Sequence, residues 1–117
     1  VEEKKSQIPE KLKPAFEIFM DELEKHLGVL NTSLKEVEQL MNDASERGRM
    51  ANRFHTIKGG ASFFQLSNIS DPADRGEKML QQNATELEMD NVSEELMSII
   101  HALQVQADAL RAEVEDS

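Results

Sequence analysis

Residues 50–64 read MANRFHTIKGGASFF, and whether a helix survives the two glycines in that stretch decides the fold. Glycine is the poorest ordinary helix former, and two of them inside a helix cost roughly 2 kcal/mol relative to alanine. The simplest reading ends the helix there, with Gly59 or Gly60 as its cap. The apolar residues argue against it. Met50, Phe54, Ile57, Ala61 and Phe64 follow one another in steps of four and three, a single stripe of a 3.6-residue period. A helix that stopped at Lys58 would give Ala61 and Phe64 no reason to keep that register. The pattern predicts a helix over 45–65 that carries both glycines in its interior.

The same periodicity extends outward on both sides. Upstream, Phe16, Met20, Leu23, Leu27, Leu30, Leu34, Val37 and Met41 form one stripe, with Pro14 in a first turn where its missing N–H is harmless. This predicts a helix over 13–42. Ser33 and Glu36 also match a capping box that would break it at Asn31-Thr32-Ser33, but the register survives the junction and favours one helix. Asn42-Asp43-Ala44-Ser45 reads as a turn with an N-cap. Downstream, Ser70 reads as an N-cap with Pro72 in the first turn of a third helix, 70–83. Its inward face holds Ile69, Ala73, Gly76 and Leu80, small enough at two positions for a neighbouring helix to come close. Asn83 to Asn91 reads as a loop pinned by Leu87 and Met89. A last helix, 91–114, places Val92, Leu96, Ile99, Leu103, Ala107, Leu110 and Val114 on one side. Four amphipathic helices with short connections give an all-α, antiparallel up-down four-helix bundle. Residues 13–114 form the domain, 1–12 an N-terminal extension, and 115–117 the start of a linker.

Composition narrows the function. A chain of 117 residues, 38% apolar and 31% charged, fits one soluble domain with a real core. The net charge of −10 argues against nucleic acid and against anionic membrane surfaces. The absence of cysteine excludes disulfides and thiolate metal sites and suits a cytoplasmic protein. No apolar run reaches transmembrane length, and no signal-peptide pattern opens the chain. Starting at Val1 rather than Met, the chain reads as a piece of something longer.

Three histidines are candidates for chemistry. His101 lies roughly opposite the stripe of its helix, and His26 lies on a helix flank beside Glu22 and Lys25; both read as ordinary surface positions. His55 differs. It lies about 140° from the centre of its stripe and so faces solvent, with Lys58 three residues on and Gly59 directly above it. An exposed imidazole is a nucleophile when neutral. A nearby cation meets the oxygens of an anionic group, and a missing side chain lets another backbone approach. The plain alternative is an exposed His-Lys pair beside a packing glycine. A di-metal bundle site would need Glu-x-x-His pairs, and Leu23, Asn52 and Ser98 stand where those glutamates would be. No nucleophile elbow and no phosphate-binding glycine loop occurs, so the chain should not bind ATP itself.

HTIKGGASFF resembles the signature of the histidine phosphotransfer (HPt) domains of two-component signalling, whose core is HxxKG followed by small residues. The resemblance covers about Phe16 to Leu110. Within the family the chain is most similar to the phosphotransfer domain of CheA-type chemotaxis kinases, which read HSIKGGA here and often EQHLLVL where this chain has EKHLGVL at 24–30. Such domains place a glutamate 22 positions after the histidine, which falls on Glu77. The chain departs from that pattern at Asp74, where a second histidine is common, at Gln65, where glycine often closes the helix, and at Pro72. The segment before His55 is also about two turns longer.

The resemblance implies a phosphocarrier. His55 would accept a phosphoryl group on Nε2 from a histidine kinase ATP-binding domain and pass it to the aspartate of a response-regulator receiver domain. Lys58 would screen phosphoryl charge, and Glu77 would hold the ring through Nδ1. Gly59, Ser62 and Phe63 would meet partners. The domain would bind no cofactor, with ATP and Mg²⁺ supplied by partner domains, and would be monomeric. A helical docking module that carries no phosphate is the competing class.

Overall fold

The computed structural model describes residues 10–35, 43–81 and 89–116. Among these residues it shows four helices and no strand: α1 (Lys13–Leu34), α2 (Ala44–Phe63), α3 (Ser67–Gln81) and α4 (Met89–Asp116), with a 3-10 turn, Glu10–Leu12, ahead of α1. Helix α1 continues through Asn31-Thr32-Ser33. Asn31 Nδ2 donates to Leu27 O (3.1 Å) and Thr32 Oγ1 to Gly28 O (3.0 Å). Residues that suit a break thus fold back onto the preceding turn and leave the helix intact. The described helix ends at Leu34 with Lys35 as its C-cap. Val37, Met41, Leu87 and residues 1–9 of the predicted extension lie outside the described residues.

Helix α2 opens on Asp43, whose carboxylate accepts from Ser45 N (3.0 Å) and Glu46 N (3.2 Å), two donors with no partner inside the helix. It runs unbroken through Gly59-Gly60. It closes in a Schellman motif: Leu66 N donates to Ala61 O (2.8 Å) and Gln65 N to Ser62 O (3.0 Å). Gln65 adopts φ 59°, the left-handed region that glycine usually supplies.

Several boundaries differ from the sequence reading. Helix α1 ends at Leu34 rather than running to 42, because Lys35 N turns back to Thr32 O and Ser33 O as its C-cap. Helix α2 starts one residue early, at Ala44, behind the Asp43 cap. Helix α2 ends at Phe63 rather than 65, because the Schellman bonds claim the carbonyls there. Helix α3 starts at Ser67 rather than 70, because the Leu66 carbonyl accepts both Ile69 N (3.0 Å) and Ser70 N (2.9 Å) and nucleates the turn earlier. Pro72 therefore sits in the second turn and denies Asn68 O its usual donor. Helix α4 begins at Met89 and reaches Asp116, so Asp90 and Asn91 are helical rather than loop.

The stripes meet as one core. Phe16, Met20, Leu23, Leu27 and Leu30 of α1 bury against Met50, Phe54, Ile57 and Ala61 of α2, Ile69, Ala73 and Leu80 of α3, and Val92, Leu96, Ile99, Leu103 and Ala107 of α4. Each large side chain buried there contributes about 1.5–3 kcal/mol. Helices α1 and α2 touch at Phe16–Phe64, Phe19–Gly60 and His26–Arg53, where one residue number falls as the other rises. Helices α2 and α3 are likewise antiparallel along their seam, where His55 meets Glu77 and Lys58 meets Asp74, and Arg111 of α4 reaches back to Asp21 and Glu24 of α1. The bundle is up-down and antiparallel.

The glycines divide by neighbour. A Cβ on Gly60 would stand 2.7 Å from the Phe19 ring, and one on Gly76 2.8 Å from Phe54. Both let a phenylalanine ring from a neighbouring helix lie directly against the backbone. A Cβ on Gly59 would meet nothing within 4 Å.

Candidate functional site

The antiparallel register of α2 on α3 builds the site. Once Phe54 seats on Gly76, the next residue of each helix turns outward along one seam, and His55 meets Glu77. His55 Nδ1 lies 2.9 Å from Glu77 Oε2. The ring remains 62% exposed while the Glu77 side chain is only 11% exposed, so the carboxylate anchors from inside and the ring projects. Glu77 is the one buried charged residue among those described.

Three groups converge on that carboxylate. Lys58 Nζ stands 2.7 Å from Oε1 in a close ion pair. Gln81 Nε2 donates weakly to Oε2 at 3.4 Å. The pKa of Glu77 is held below the ordinary 4.5, by Lys58 most, with burial opposing and His55 adding to the fall. An ionised carboxylate can only accept, so Nδ1 must be the donor of the His55 contact. The neutral ring then carries its lone pair on Nε2, the nitrogen facing away from Glu77.

Lys58 does not stand free beside the ring. It also donates to Asp74 Oδ1 at 3.1 Å, and the two carboxylates raise its pKa, Glu77 more than Asp74. Asp74 in turn takes Lys78 on Oδ2 at 3.0 Å; Lys78 first and Lys58 second depress its pKa. The sequence reading noted Asp74 only as a departure and passed over Lys78. Asp74 was findable, since an antiparallel seam that pairs 55 with 77 pairs 58 with 74.

An open groove of ≈ 490 Å³ flanks the ring on its N-terminal side, walled by Gly48, Ala51 and Asn52 of α2 and by Leu80 and Gln81 of α3. On the other side Gly59 and Ser62 are exposed, and Phe63, 66% exposed, stacks edge-on against Phe64 with centroids 5.0 Å apart. Those residues lie along α2 from His55, whereas the ring's hydrogen-bond partner is Glu77 of α3.

His26 is not the ordinary surface residue its flank position suggested. It is half-buried, and Arg53 Nη1 donates to its Nδ1 at 3.1 Å. Burial first and Arg53 second hold its pKa below the ordinary 6.5. The partner lies 27 residues away on another helix, where no local pattern reveals it. His101 is exposed.

No helix among the described residues is long and apolar enough to cross a membrane. No curated protein and no solved structure matches the chain. The family model described as Hpt domain matches residues 15–116, all four helices with the His55–Glu77 seam at their middle. The chain belongs to the Hpt domain family, which serves histidine phosphotransfer in two-component signalling with kinases and response regulators.

Proposed function

We propose that His55 is the phosphorylated residue and that it works between a histidine kinase ATP-binding domain and a receiver-domain aspartate. The observation that carries this reading is the Nδ1 contact with Glu77 on a ring whose other nitrogen is open to solvent. In the first transfer the Nε2 lone pair attacks the γ-phosphorus of ATP, a P–N bond forms, and the P–O bond to ADP breaks. The ring gains positive charge, which Glu77 meets through the Nδ1 proton. In the second transfer a receiver carboxylate attacks the same phosphorus and the P–N bond breaks, returning the lone pair to Nε2. Mg²⁺ and ATP come with the partner domains. Lys58 screens phosphoryl oxygens, Gly59 leaves the approach clear, and Ser62 and Phe63 meet the incoming partner.

We further assign the domain to the CheA-type kinases and to the cytoplasm. Glutamate at 77 supports the kinase-linked assignment, as does EKHLGVL at 24–30; Asp74 in place of a second histidine is the departure. Incubation with a cognate kinase and labelled ATP is expected to give acid-labile, alkali-stable label that is lost in His55→Gln. Equal label on that variant would refute the reading. Partner binding untouched by His55→Ala, with no label transferred, would instead favour a docking module.

A further inference from the structure

Lys58 is already engaged before any phosphoryl group arrives. The ammonium is hydrogen-bonded to Asp74 and ion-paired to Glu77, both on α3, in the unphosphorylated protein. A phosphoryl group on Nε2 would compete with both carboxylates for this ammonium and draw it away from α3. Asp74 can let it go, because its second oxygen is already held by Lys78 at 3.0 Å. Glu77 can let it go too, because the Nδ1 proton of a phosphorylated ring carries more positive charge than that of a neutral one. Neither carboxylate is left unpaired by the exchange, so the exchange is cheap. The phosphoryl group, with a charge of about −1.5 to −2, is a stronger attractor than one carboxylate. The long, flexible stem of lysine allows the swing.

We propose that Asp74 is a positioning residue that holds Lys58 off the phosphoryl-accepting nitrogen and releases it to the phosphoryl group, so that the Lys58–Asp74–Lys78 chain sets how readily His55 gains phosphate. This rests on the phosphocarrier reading above. Loosening the hold speeds uptake, because Lys58 no longer has to break the Asp74 hydrogen bond on the way to the transition state.

Phosphoramidate tests this without a partner protein. Nε2 attacks its phosphorus, the P–N bond to the ammonia leaving group breaks, and ammonia departs with its three protons while Nδ1 keeps its own. Uptake is followed by loss of the unmodified His55 ring signals in NMR, which also report the tautomer. Asp74→Asn is expected to speed uptake about two- to fivefold, the worth of a partly exposed charge pair, with the Nδ1–H tautomer unchanged. Asp74→Glu should restore the wild-type rate. In a Lys58→Met background Asp74→Asn should change nothing. An Asp74→Asn rate equal to wild type would overturn the proposal, as would the same acceleration without Lys58. If wild-type His55 takes up no phosphoryl group while its tautomer is intact, the phosphocarrier reading itself falls, and this one with it.

Discussion

At the scale of single residues, three ionisable groups, Glu77, Asp74 and His26, tie the fold to pH in two windows. Glu77 has a depressed pKa in the folded chain, so its contribution is complete above its ordinary 4.5 and is lost as pH falls through the lower folded value. His26 also has a depressed pKa, because burial and Arg53 disfavour its charged form. The unfolded chain then binds the proton more readily, and stability is complete above 6.5 and declines as pH falls towards the folded value. Urea midpoints measured from pH 8 to pH 3 are expected to fall in two stages. His26→Gln should remove the upper stage and Glu77→Gln most of the lower, where Asp74 also contributes. A single stage unaffected by His26→Gln would contradict the half-buried, Arg53-bonded placement. His55 itself was legible in the sequence because exposure follows from helical period alone. Arg53 was not, since its partner His26 is fixed by how helices pack, whereas Lys78 stands four residues after Asp74 on one helix and was readable as a local pair.

At the scale of the helices, the two neighbouring glycines of α2 do different things. Gly60 lets α1 approach through Phe19, and Gly59 faces open space. Gly59→Ala is expected to raise stability by about 1 kcal/mol, the helix-propensity gain alone. Gly76→Ala should lower it by about 1–3 kcal/mol, since its Cβ would overpack the fully buried Phe54 ring; Gly60→Ala should fall between them as Phe19 gives way. Gln65→Gly, relieving a left-handed residue, should gain up to about 1 kcal/mol after the extra chain entropy of glycine. Thermal or urea unfolding of the series reads all four. The same Gly59→Ala variant should take phosphate from phosphoramidate normally and from a kinase more slowly, if partner approach is what the open position serves. The continuity of α2 was legible because its stripe spans the glycines. The reason for Gly60 was not, because Phe19 lies 41 positions away in the chain. The start of α3 was misplaced by a proline that local rules assign to a first turn, whereas the Leu66 carbonyl had already begun the helix.

At the scale of the whole molecule, stability and chemistry are carried by different parts. The core is a shared property of all four helices, and Leu103 of α4 lies fully within it, far in sequence from the site. Leu103→Ala is expected to cost about 2–5 kcal/mol while leaving the phosphoramidate rate at His55 unchanged well below the melting temperature; a matching loss of rate would show that the seam depends on α4. The bundle class was readable from four stripes, because each needs three others to bury it. Every charged group described around the imidazole, by contrast, comes from the α2–α3 hairpin, and α1 and α4 support that hairpin through apolar contacts and, at His26–Arg53, a hydrogen bond. The hairpin can therefore be regarded as a cassette and the outer helices as its mounting. Grafted by its apolar faces onto another pair of helices of matching length, it would bring the reactive histidine, its carboxylate and its lysine as one unit. The surfaces of α1 and α4 are correspondingly free to be redrawn for a new host protein without touching the chemistry.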